Sequence, residues 1–309
     1  MTPGVAVLIP CFNEAAAIGA VVRAFRAALP GAQVYVFDNN STDDSRRLAA
    51  EAGAIVRAEA RQGKGNVVRR MFADVDADVY LLVDGDGTYD APSAPRLIET
   101  LLEGGCDMVT GVRKAAGTGS YRPGHVFGNR LLTAIVGRVF GRRIGDLLSG
   151  YRALSRRFVK SFPALSSGFE IETELSVHAL ELGIPFAEVE TPYYARPGGS
   201  ESKLGTWRDG WRILLTILKL VKGERPLAFF SAIAAAAAAP ALLIGAQLWI
   251  TFVETGLVPR FPSAILATGL MLTAFLSLVC GLVLDTVTRG RQEMKRLAYL
   301  GQAASRVPR

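Results

Sequence analysis

The first 110 residues alternate short apolar runs with amphipathic stretches. The apolar runs predict strands, at Val5–Ile9, Gln33–Phe37, Ala54–Arg57, Val79–Val83 and Met108–Thr110. The stretches between them predict helices, at about Glu14–Leu29, after DNNSTDDS through Ala52, at Gly65–Val75 and at Pro95–Glu103. This alternation is typical of an α/β fold in which helices cover both faces of a parallel sheet.

Residues 111–200 are less regular, and their pattern predicts helices at Asn129–Phe140 and Glu170–Leu182 and a strand at Phe186–Val189. In the following stretch, Thr206–Lys222, Trp207 and Trp211 lie four residues apart on one side and arginines lie on another. This pattern predicts an amphipathic helix that lies at a membrane interface and occupies residues 206–225. The alternative is a helix packed on a globular domain.

Two runs near the C-terminus, Leu227–Val253 and Pro262–Leu284, contain no charged residue. Each exceeds the roughly 20 residues that cross a bilayer as a helix, and a pair of buried core helices is the alternative. The sequence therefore predicts a globular domain at residues 1–205, the interfacial helix at 206–225, a transmembrane helical hairpin at 226–288 and a basic tail at 289–309.

Basic residues lie on the outer flanks of the two apolar runs, whereas Arg260 is the one basic residue between them. The positive-inside rule then predicts an inner-membrane, multi-pass protein with its large N-terminal part and both termini in the cytoplasm. The first residues have no basic region or cleavage site and predict no signal peptide.

The net charge of +7 suits contact with anionic lipid. No basic-aromatic array or zinc-finger spacing supports nucleic-acid binding. The three cysteines, Cys11, Cys106 and Cys280, are scattered and form no disulfide or metal framework. A homo-oligomer is compatible with the sequence.

Acidic residues crowd the end of the fourth predicted strand, where Asp84, Asp86 and Asp90 follow an apolar run. Like charges this close destabilise a fold unless something neutralises them. Carboxylates one residue apart can share Mg²⁺ or Mn²⁺, with the other ligand positions filled by water and phosphate oxygens. A calcium loop is less compatible, because the distal glutamate and flanking helices of an EF-hand are missing.

Polar residues also follow the other predicted strands, and the carboxyl ends of parallel strands meet at one edge of a sheet. Asp38, at the end of the second strand, can accept hydrogen bonds from a base or ribose. The segment DNNSTDDS after it can also serve as a helix cap. Lys64 lies between two glycines and can approach a phosphate, although the spacing of a P-loop is absent.

Several motifs together resemble a family of enzymes. They occur in order over roughly the first 205 residues: IPCFNE, FDNNSTDD, QGKGN, VDGDGTYD, GVR, DLLSGYRALSR and SESKL. In this set the sequence resembles family 2 inverting glycosyltransferases of the GT-A fold, and more closely the polyprenyl-phosphate sugar transferases that include dolichyl-phosphate mannose synthases. It departs from the family pattern at Cys11, Asn39, Asn40 and Thr88.

The resemblance implies a GT-A, Rossmann-like domain followed by the interfacial helix and two transmembrane helices. It implies a nucleotide diphosphate sugar as donor and Mg²⁺ or Mn²⁺ as cofactor. The residues expected to bind the nucleotide are Pro10, Glu14, Asp38, Lys64 and Asp84. Asp86 is the expected metal ligand, with Asp84 beside it.

The acceptor that the resemblance implies is a polyprenyl phosphate. Its phosphate is already ionised at neutral pH and needs cations to hold it rather than a dedicated base. The expected acceptor-side residues are Arg113, Arg130, Ser202 and Lys203, and the expected catalytic residues are Asp86, Arg113, Arg130 and Lys203. A solvated surface charge is the alternative for Arg130 and Arg196, and Asp146 resembles a positioning or structural residue.

The predicted function is thus transfer of a sugar, from a UDP-sugar rather than GDP-mannose, to a polyprenyl phosphate at the cytoplasmic membrane face. A processive polysaccharide synthase is an alternative, but its Q-x-x-R-W signature is absent. A membrane-tethered nucleotide-sugar sensor without turnover is another, and the paired Asp84 and Asp86 argue against it.

Overall fold

The computed structural model describes residues 3–116, 133–138, 140–141, 144–196, 215, 218–219 and 221–303. The chain forms two compact units, Met1–Ile213 together with Met294–Arg309, and Leu214–Glu293.

The first unit is built on a sheet with seven strands among the described residues. They are β1 (Val5–Cys11), β2 (Gln33–Asp38), β3 (Ile55–Ala58), β4 (Val79–Leu82), β5 (Met108–Ala115), β6 (Arg152–Ser155) and β7 (Phe186–Tyr193). Their order across the sheet is β3-β2-β1-β4-β6-β5-β7. Strands β1 to β4 are parallel, which confirms the predicted α/β organisation.

One strand was not predicted. Strand β6 is antiparallel to both of its neighbours, β4 and β5, whereas β5 and β7 are parallel. The parallel arrangement predicted for the strands of the first 110 residues is confirmed, because β4 and β5 are both antiparallel to β6 and therefore run in the same direction. The four residues of β6 give no apolar run, because two of them, Arg152 and Ser155, are polar although they are buried. Strand β5 also extends through GVRK, so Arg113 lies within a strand and not beyond its end.

Six helices with defined bounds lie on the sheet in the described part of the first unit. They are α1 (Ile18–Ala28), α2 (Ser45–Glu51), α3 (Lys64–Asp74), α4 (Ala94–Glu103), α5 (Arg156–Ser161) and α6 (Ile171–Leu182). Helix α1 begins four residues later than predicted, and the carbonyl of Glu14 accepts the amide of Ile18 at 2.9 Å. Residues 133–138 and 140 of the predicted helix Asn129–Phe140 are helical.

The sheet is buried on both faces. In β4, Val79 and Leu81 join a core with residues of α1 and α4, whereas Tyr80 and Leu82 join a second core with residues of α3, α5 and α6. A strand covered on both faces has no polar side, and this explains the continuous apolar run. It also leaves the ends of the strands as the place for polar chemistry.

The second unit contains most of two long helices, α7 (Pro226–Thr255) and α8 (Phe261–Leu300). Both are long and apolar enough to cross a membrane, at 30 and 40 residues. They approach closely at Gly281, where a Cβ would lie 3.0 Å from Cβ of Phe230. Close approach at small residues is typical of membrane helix pairs.

Helix α8 continues past residue 288, where the predicted hairpin ends. Its last residues belong to the first unit, where Lys295 Nζ lies 2.6 Å from Glu181 Oε2. Tyr299 donates its hydroxyl to Asp107 Oδ2 at 2.6 Å. Residues 289–300, predicted as a basic tail, are therefore helical. Of the predicted helix Thr206–Lys222, the described residues 215, 218, 219, 221 and 222 are helical.

Candidate active site

The loops after β1 and β2 are joined by side-chain to backbone hydrogen bonds. Ser41 Oγ accepts the amide of Asn13 at 2.9 Å, and Asn13 Oδ1 accepts the amide of Thr42 at 2.8 Å. Ser45 Oγ accepts the amide of Glu14 at 2.8 Å, in a buried position. The segment DNNSTDDS thus holds Glu14 beside the end of β2, which is a larger role than capping α2.

The N-cap residue of α2, Asp44, makes no side-chain cap hydrogen bond, and the preceding residue binds the first amide of the helix instead. Asp43 accepts the amide of Ser45, at the start of α2, with Oδ1 at 3.0 Å, and the amide of Ala15 with Oδ2 at 3.0 Å. Burial opposes ionisation of this carboxyl, but the hydrogen bonds from Ser45 and Ala15 outweigh it and lower the pKa of Asp43.

Asp38 ends β2 and is 1% exposed. Its Oδ2 lies 3.3 Å from the amide of Ser41 and 3.5 Å from Arg46 Nε. Its Oδ1 is buried and has no hydrogen-bond partner among the described residues. An unsatisfied buried acceptor is costly, so this oxygen is suited to an N–H of a bound molecule. Pro10, the other residue predicted here, lies opposite Phe37 in β1.

Asn39 braces the loop that leads to Lys64. Its Nδ2 donates to the carbonyls of Glu59 and Arg61 at 2.9 and 2.8 Å, and its Oδ1 accepts the amide of Gly63 at 2.7 Å. Asn39 departs from the family pattern in sequence, but the structure gives it a definite structural task.

Helix α3 begins at Lys64, between two glycines that touch backbone. A Cβ at Gly63 would lie 2.2 Å from the Ser167 carbonyl oxygen, and one at Gly65 would lie 2.1 Å from that of Ser166. Gly63 also has a φ of 128°, which side chains rarely adopt. The glycines therefore let α3 start directly against the 166–167 backbone, and this places Lys64 at the edge of the sheet.

The ammonium of Lys64 is shared by two carboxylates. Its Nζ lies 2.5 Å from Asp84 Oδ1 and 2.5 Å from Glu172 Oε1, and its side chain is 8% exposed. Burial lowers the pKa of Lys64, but the charges of Asp84 and Glu172 outweigh burial and raise it. Burial also raises the pKa of Glu172, which Lys64 partly offsets. Lys64 is therefore a stable cation in this site.

Asp84 lies two residues after the end of β4 and against a neighbouring loop. A Cβ at Gly150 would stand 2.6 Å from Asp84 Oδ2, so only glycine leaves room for this carboxylate. The amide of Gly150 donates to the hydroxyl oxygen of Tyr89 at 2.8 Å and fixes the loop there.

Asp86 is 5% exposed and held at both oxygens. Thr88 donates its hydroxyl at 2.6 Å and its amide at 3.1 Å to Oδ1. Arg196, three residues after β7, places Nη2 2.8 Å from Oδ2. Lys64 and Arg196 thus neutralise the acidic strand end, one at each carboxylate. Arg196, for which a surface charge was one interpretation, lies in the site.

The donor atoms fit a hard divalent cation. Within the described ranges no group of three or more His, Cys, Asp or Glu side chains is placed to hold a metal, so Asp84 and Asp86 would need phosphate or water oxygens to complete a shell. Asp86 Oδ2 already attracts a cationic group, and Asp84 Oδ1 is taken by Lys64. A metal at either carboxylate would thus have to compete with a cationic side chain, and Asp86 as the metal ligand stays a prediction.

Arg113 is oriented by a bidentate pair. Its Nε lies 2.7 Å from Asp146 Oδ2 and its Nη2 lies 2.9 Å from Asp146 Oδ1. The guanidinium lies 5.4 Å from the ring centre of Tyr193. Asp146, 4% exposed, thus orients the Arg113 guanidinium, and its role as a positioning residue stays a prediction.

Arg152, which the sequence did not single out, supports the same loop. It is fully buried and donates to the carbonyls of Leu147 and Ser149 at 2.8 and 2.9 Å and to Ser176 Oγ at 2.8 Å. Glu172 was also missed. The sequence offers no distinct signal for it, because the helix Glu170–Leu182 carries four glutamates and Glu172 is one among them. Arg130, Ser202, Lys203 and His125 lie outside the described residues.

Comparison with known proteins gives the family. A family model described as glycosyl transferase family 2 matches residues 6–162. Glycosyltransferase AglJ of Haloferax volcanii is 34% identical over 303 residues, 96% of this chain and 98% of that protein. A dolichyl-phosphate hexose transferase of the same organism is 28% identical over 220 residues, 71% of this chain and 95% of that protein.

Solved structures agree on the fold. Glucosyl-3-phosphoglycerate synthase from Mycobacterium tuberculosis, in complex with Mn²⁺, uridine-diphosphate and phosphoglyceric acid, matches with a TM-score of 0.58 and 24% identity, over 72% of this chain and 78% of that one. The sheet and its acidic strand end define a glycosyltransferase domain of the GT-A type. The chain belongs to glycosyl transferase family 2, which confirms the predicted resemblance.

Proposed function

We propose that the protein transfers a sugar from a nucleotide diphosphate sugar, a UDP-sugar in preference to GDP-mannose, to a polyprenyl phosphate at the cytoplasmic face of a membrane. The observation that carries this proposal is the end of β4, where two carboxylates one residue apart each face a cationic side chain. Such a site accepts a diphosphate and a divalent metal together.

The donor side is supported by the ends of β1 and β2. Asp38 Oδ1, buried and without a partner among the described residues, accepts an N–H from the base. Glu14, braced by Ser45, lies beside it. The synthase named above binds Mn²⁺ and uridine-diphosphate on the same fold, which favours UDP and a divalent cofactor here.

The acceptor side is supported by the dolichyl-phosphate hexose transferase relative and by α7 and α8. A phosphate monoester is largely ionised at neutral pH, since its second pKa is about 6. Its oxygen can attack the anomeric carbon without a general base, and the bond from that carbon to the diphosphate breaks with inversion. Arg113, oriented by Asp146, holds the acceptor phosphate, and Arg130, Ser202 and Lys203 are proposed on sequence grounds.

Asp86, with Asp84 beside it, would hold Mg²⁺ or Mn²⁺, which stabilises the charge that develops on the leaving diphosphate. Two features of the site support stabilisation of the leaving diphosphate. Lys64 remains protonated between Asp84 and Glu172, and Thr88 fixes the rotamer of Asp86. The proposed inner-membrane topology leaves the site facing the cytoplasm, where nucleotide sugars are made.

The experiment uses the full-length protein in detergent with a panel of UDP-sugars and GDP-mannose, a polyprenyl phosphate and Mn²⁺ or Mg²⁺. We expect metal-dependent release of nucleoside diphosphate together with a sugar-phosphate lipid, only when the lipid is present. Asp86→Asn should keep the fold but lose activity, since a neutral amide is a poor ligand for a hard cation. Successive addition of sugars would indicate a processive synthase, and binding without release would indicate a sensor.

A further inference from the structure

Glu172 lies in the site but has no evident reason to be there. It sits in the first turn of α6, and its side chain is 10% exposed. A buried carboxylate beside a diphosphate site would repel the ligand. Its charge must therefore serve a group of the protein and not the donor itself.

That group is Lys64. A lysine has a flexible four-carbon stem, and a single ion pair leaves its ammonium free to swing with its partner. Here Nζ is held by two carboxylates on separate elements, Asp84 after β4 and Glu172 on α6, at 2.5 Å each. The ring of Phe169 also faces the ammonium, with its centre 5.9 Å from Nζ. Contacts from separate elements fix the ammonium in space.

The number of N–H donors on the Lys64 ammonium leaves one for a ligand. An ammonium carries three N–H donors. Two are taken by Asp84 and Glu172, and within the described part of the chain no oxygen or nitrogen atom of the protein accepts the third. Because Asp84 stands at the strand end where the proposed diphosphate lies, the third N–H is available for a phosphate oxygen.

We propose that Glu172 is a positioning residue that holds the Lys64 ammonium in place to donate a hydrogen bond to the diphosphate of the donor. This inference rests on the proposed function. It assigns no proton transfer to Glu172, whose effect passes entirely through Lys64.

The test is a double-mutant cycle on binding of UDP with Mn²⁺, measured by calorimetry on the full-length protein in detergent, with no acceptor present. Glu172→Gln keeps the shape of the side chain and removes its charge. We expect it to weaken UDP binding about 10-fold, as for a disturbed charged hydrogen bond. Lys64→Met should weaken binding at least as much. In the Lys64→Met background, Glu172→Gln should change UDP affinity less than about 2-fold.

Glu190 supplies the matched control. It lies on β7, is exposed, and pairs with Lys114 Nζ at 2.7 Å and not with Lys64. Glu190→Gln removes the same charge and should leave UDP affinity within about 2-fold of wild type. If Glu172→Gln lowers the folded fraction, Glu172→Asp keeps the charge and should bind UDP more tightly than the Gln variant.

Different outcomes separate the two proposals. Equal effects of Glu172→Gln with and without Lys64 would overturn the positioning role. So would normal UDP affinity with kcat lowered about 100-fold or more, which is the mark of a general base. Wild-type protein that binds neither UDP nor GDP would overturn the proposed function and this inference with it.

Discussion

Arg196 and a bound metal would compete for one atom, Asp86 Oδ2. In the structure the Arg196 guanidinium lies 2.8 Å from that oxygen. Two cations cannot share it without strong repulsion. Binding of a metal at Asp86 Oδ2 therefore requires the Arg196 guanidinium to move away.

Arg196→Gln should consequently bind Mn²⁺ more tightly, by about 10-fold or about 1.4 kcal/mol. The measurement is free Mn²⁺ by electron paramagnetic resonance, without nucleotide. Lys114→Gln is the matched control, because it removes the same charge from an exposed pair with Glu190. Equal tightening in both variants would mean that only net charge matters, and no change in Arg196→Gln would mean that the metal does not need Oδ2.

The start of α3 depends on a backbone contact and not on a side chain. The amide of Gly65 donates to the Ser167 carbonyl at 3.0 Å, and a Cβ at Gly65 would lie 2.1 Å from the Ser166 oxygen. Backbone cannot swing aside as a long side chain can. Any larger residue must push α3 away from the 166–167 segment.

Gly65→Ala should therefore lower the free energy of unfolding by about 1 to 3 kcal/mol, the range for overpacking. Thermal melting in detergent measures it. Gly31→Ala is the control, since nothing lies within 4 Å of a Cβ there. A melting temperature for Gly65→Ala equal to that of the control would show that the two segments separate easily.

Helix α6 also carries a histidine that should make the fold sensitive to acid. His178 is 1% exposed, packs against Phe158 and Phe162, and lies 3.1 Å from Ser161 Oγ. Burial, with a contribution from Lys295, lowers its pKa to about 3. An unfolded histidine has a pKa of about 6.5. In this pH range the unfolded state binds a proton at His178 and the folded state does not. The free energy of unfolding therefore falls as the pH drops from 6.5 towards 3.

His178→Gln cannot titrate and should lose less stability than wild type between about pH 7.5 and about pH 5, by about 2 kcal/mol. Melting curves at the two values give the difference. Parallel losses in the two proteins would assign the acid sensitivity to other groups.

The sequence predicted those site residues that directly follow or begin elements of the parallel half of the sheet. Asp38, Lys64, Asp84 and Asp86 follow from the rule that the carboxyl ends of such strands meet at one edge. Glu172, Arg196 and the pairing of Arg113 with Asp146 could not follow from it. Asp146, Glu172 and Arg196 come from the part of the chain that surrounds β6 and β7, and a four-residue strand beginning with a buried arginine gives no apolar pattern.

At the scale of the whole molecule, the charges beside the apolar helices predict a topology. Lys219, Lys222 and Arg225 precede α7, and Arg289 and Arg291 follow the apolar part of α8, whereas Arg260 stands alone between the helices. Basic residues remain on the cytoplasmic side during insertion. A reporter fused after Arg309 should therefore be active in the cytoplasm, and so should one at the N-terminus.

The same two fusions would also reveal a topology that differs from the predicted one. The C-terminal reporter could be active on the far side of the membrane while the N-terminal one is active in the cytoplasm. The chain would then cross the membrane once and not twice. Protease protection of the chain between α7 and α8 gives an independent reading, since that connection should be accessible only from outside.

The position of β6 in the sheet has a consequence for the order of synthesis. Strand β4 needs β6 as its neighbour, yet 70 residues separate Leu82 from Arg152. At roughly 5 to 20 residues per second, a ribosome leaves the apolar edge of β4 without its partner for about 4 to 14 seconds. An open apolar edge invites pairing with other chains. The last strand ends at Tyr193 and α7 begins at Pro226, so the sheet can close before the first apolar helix leaves the ribosome.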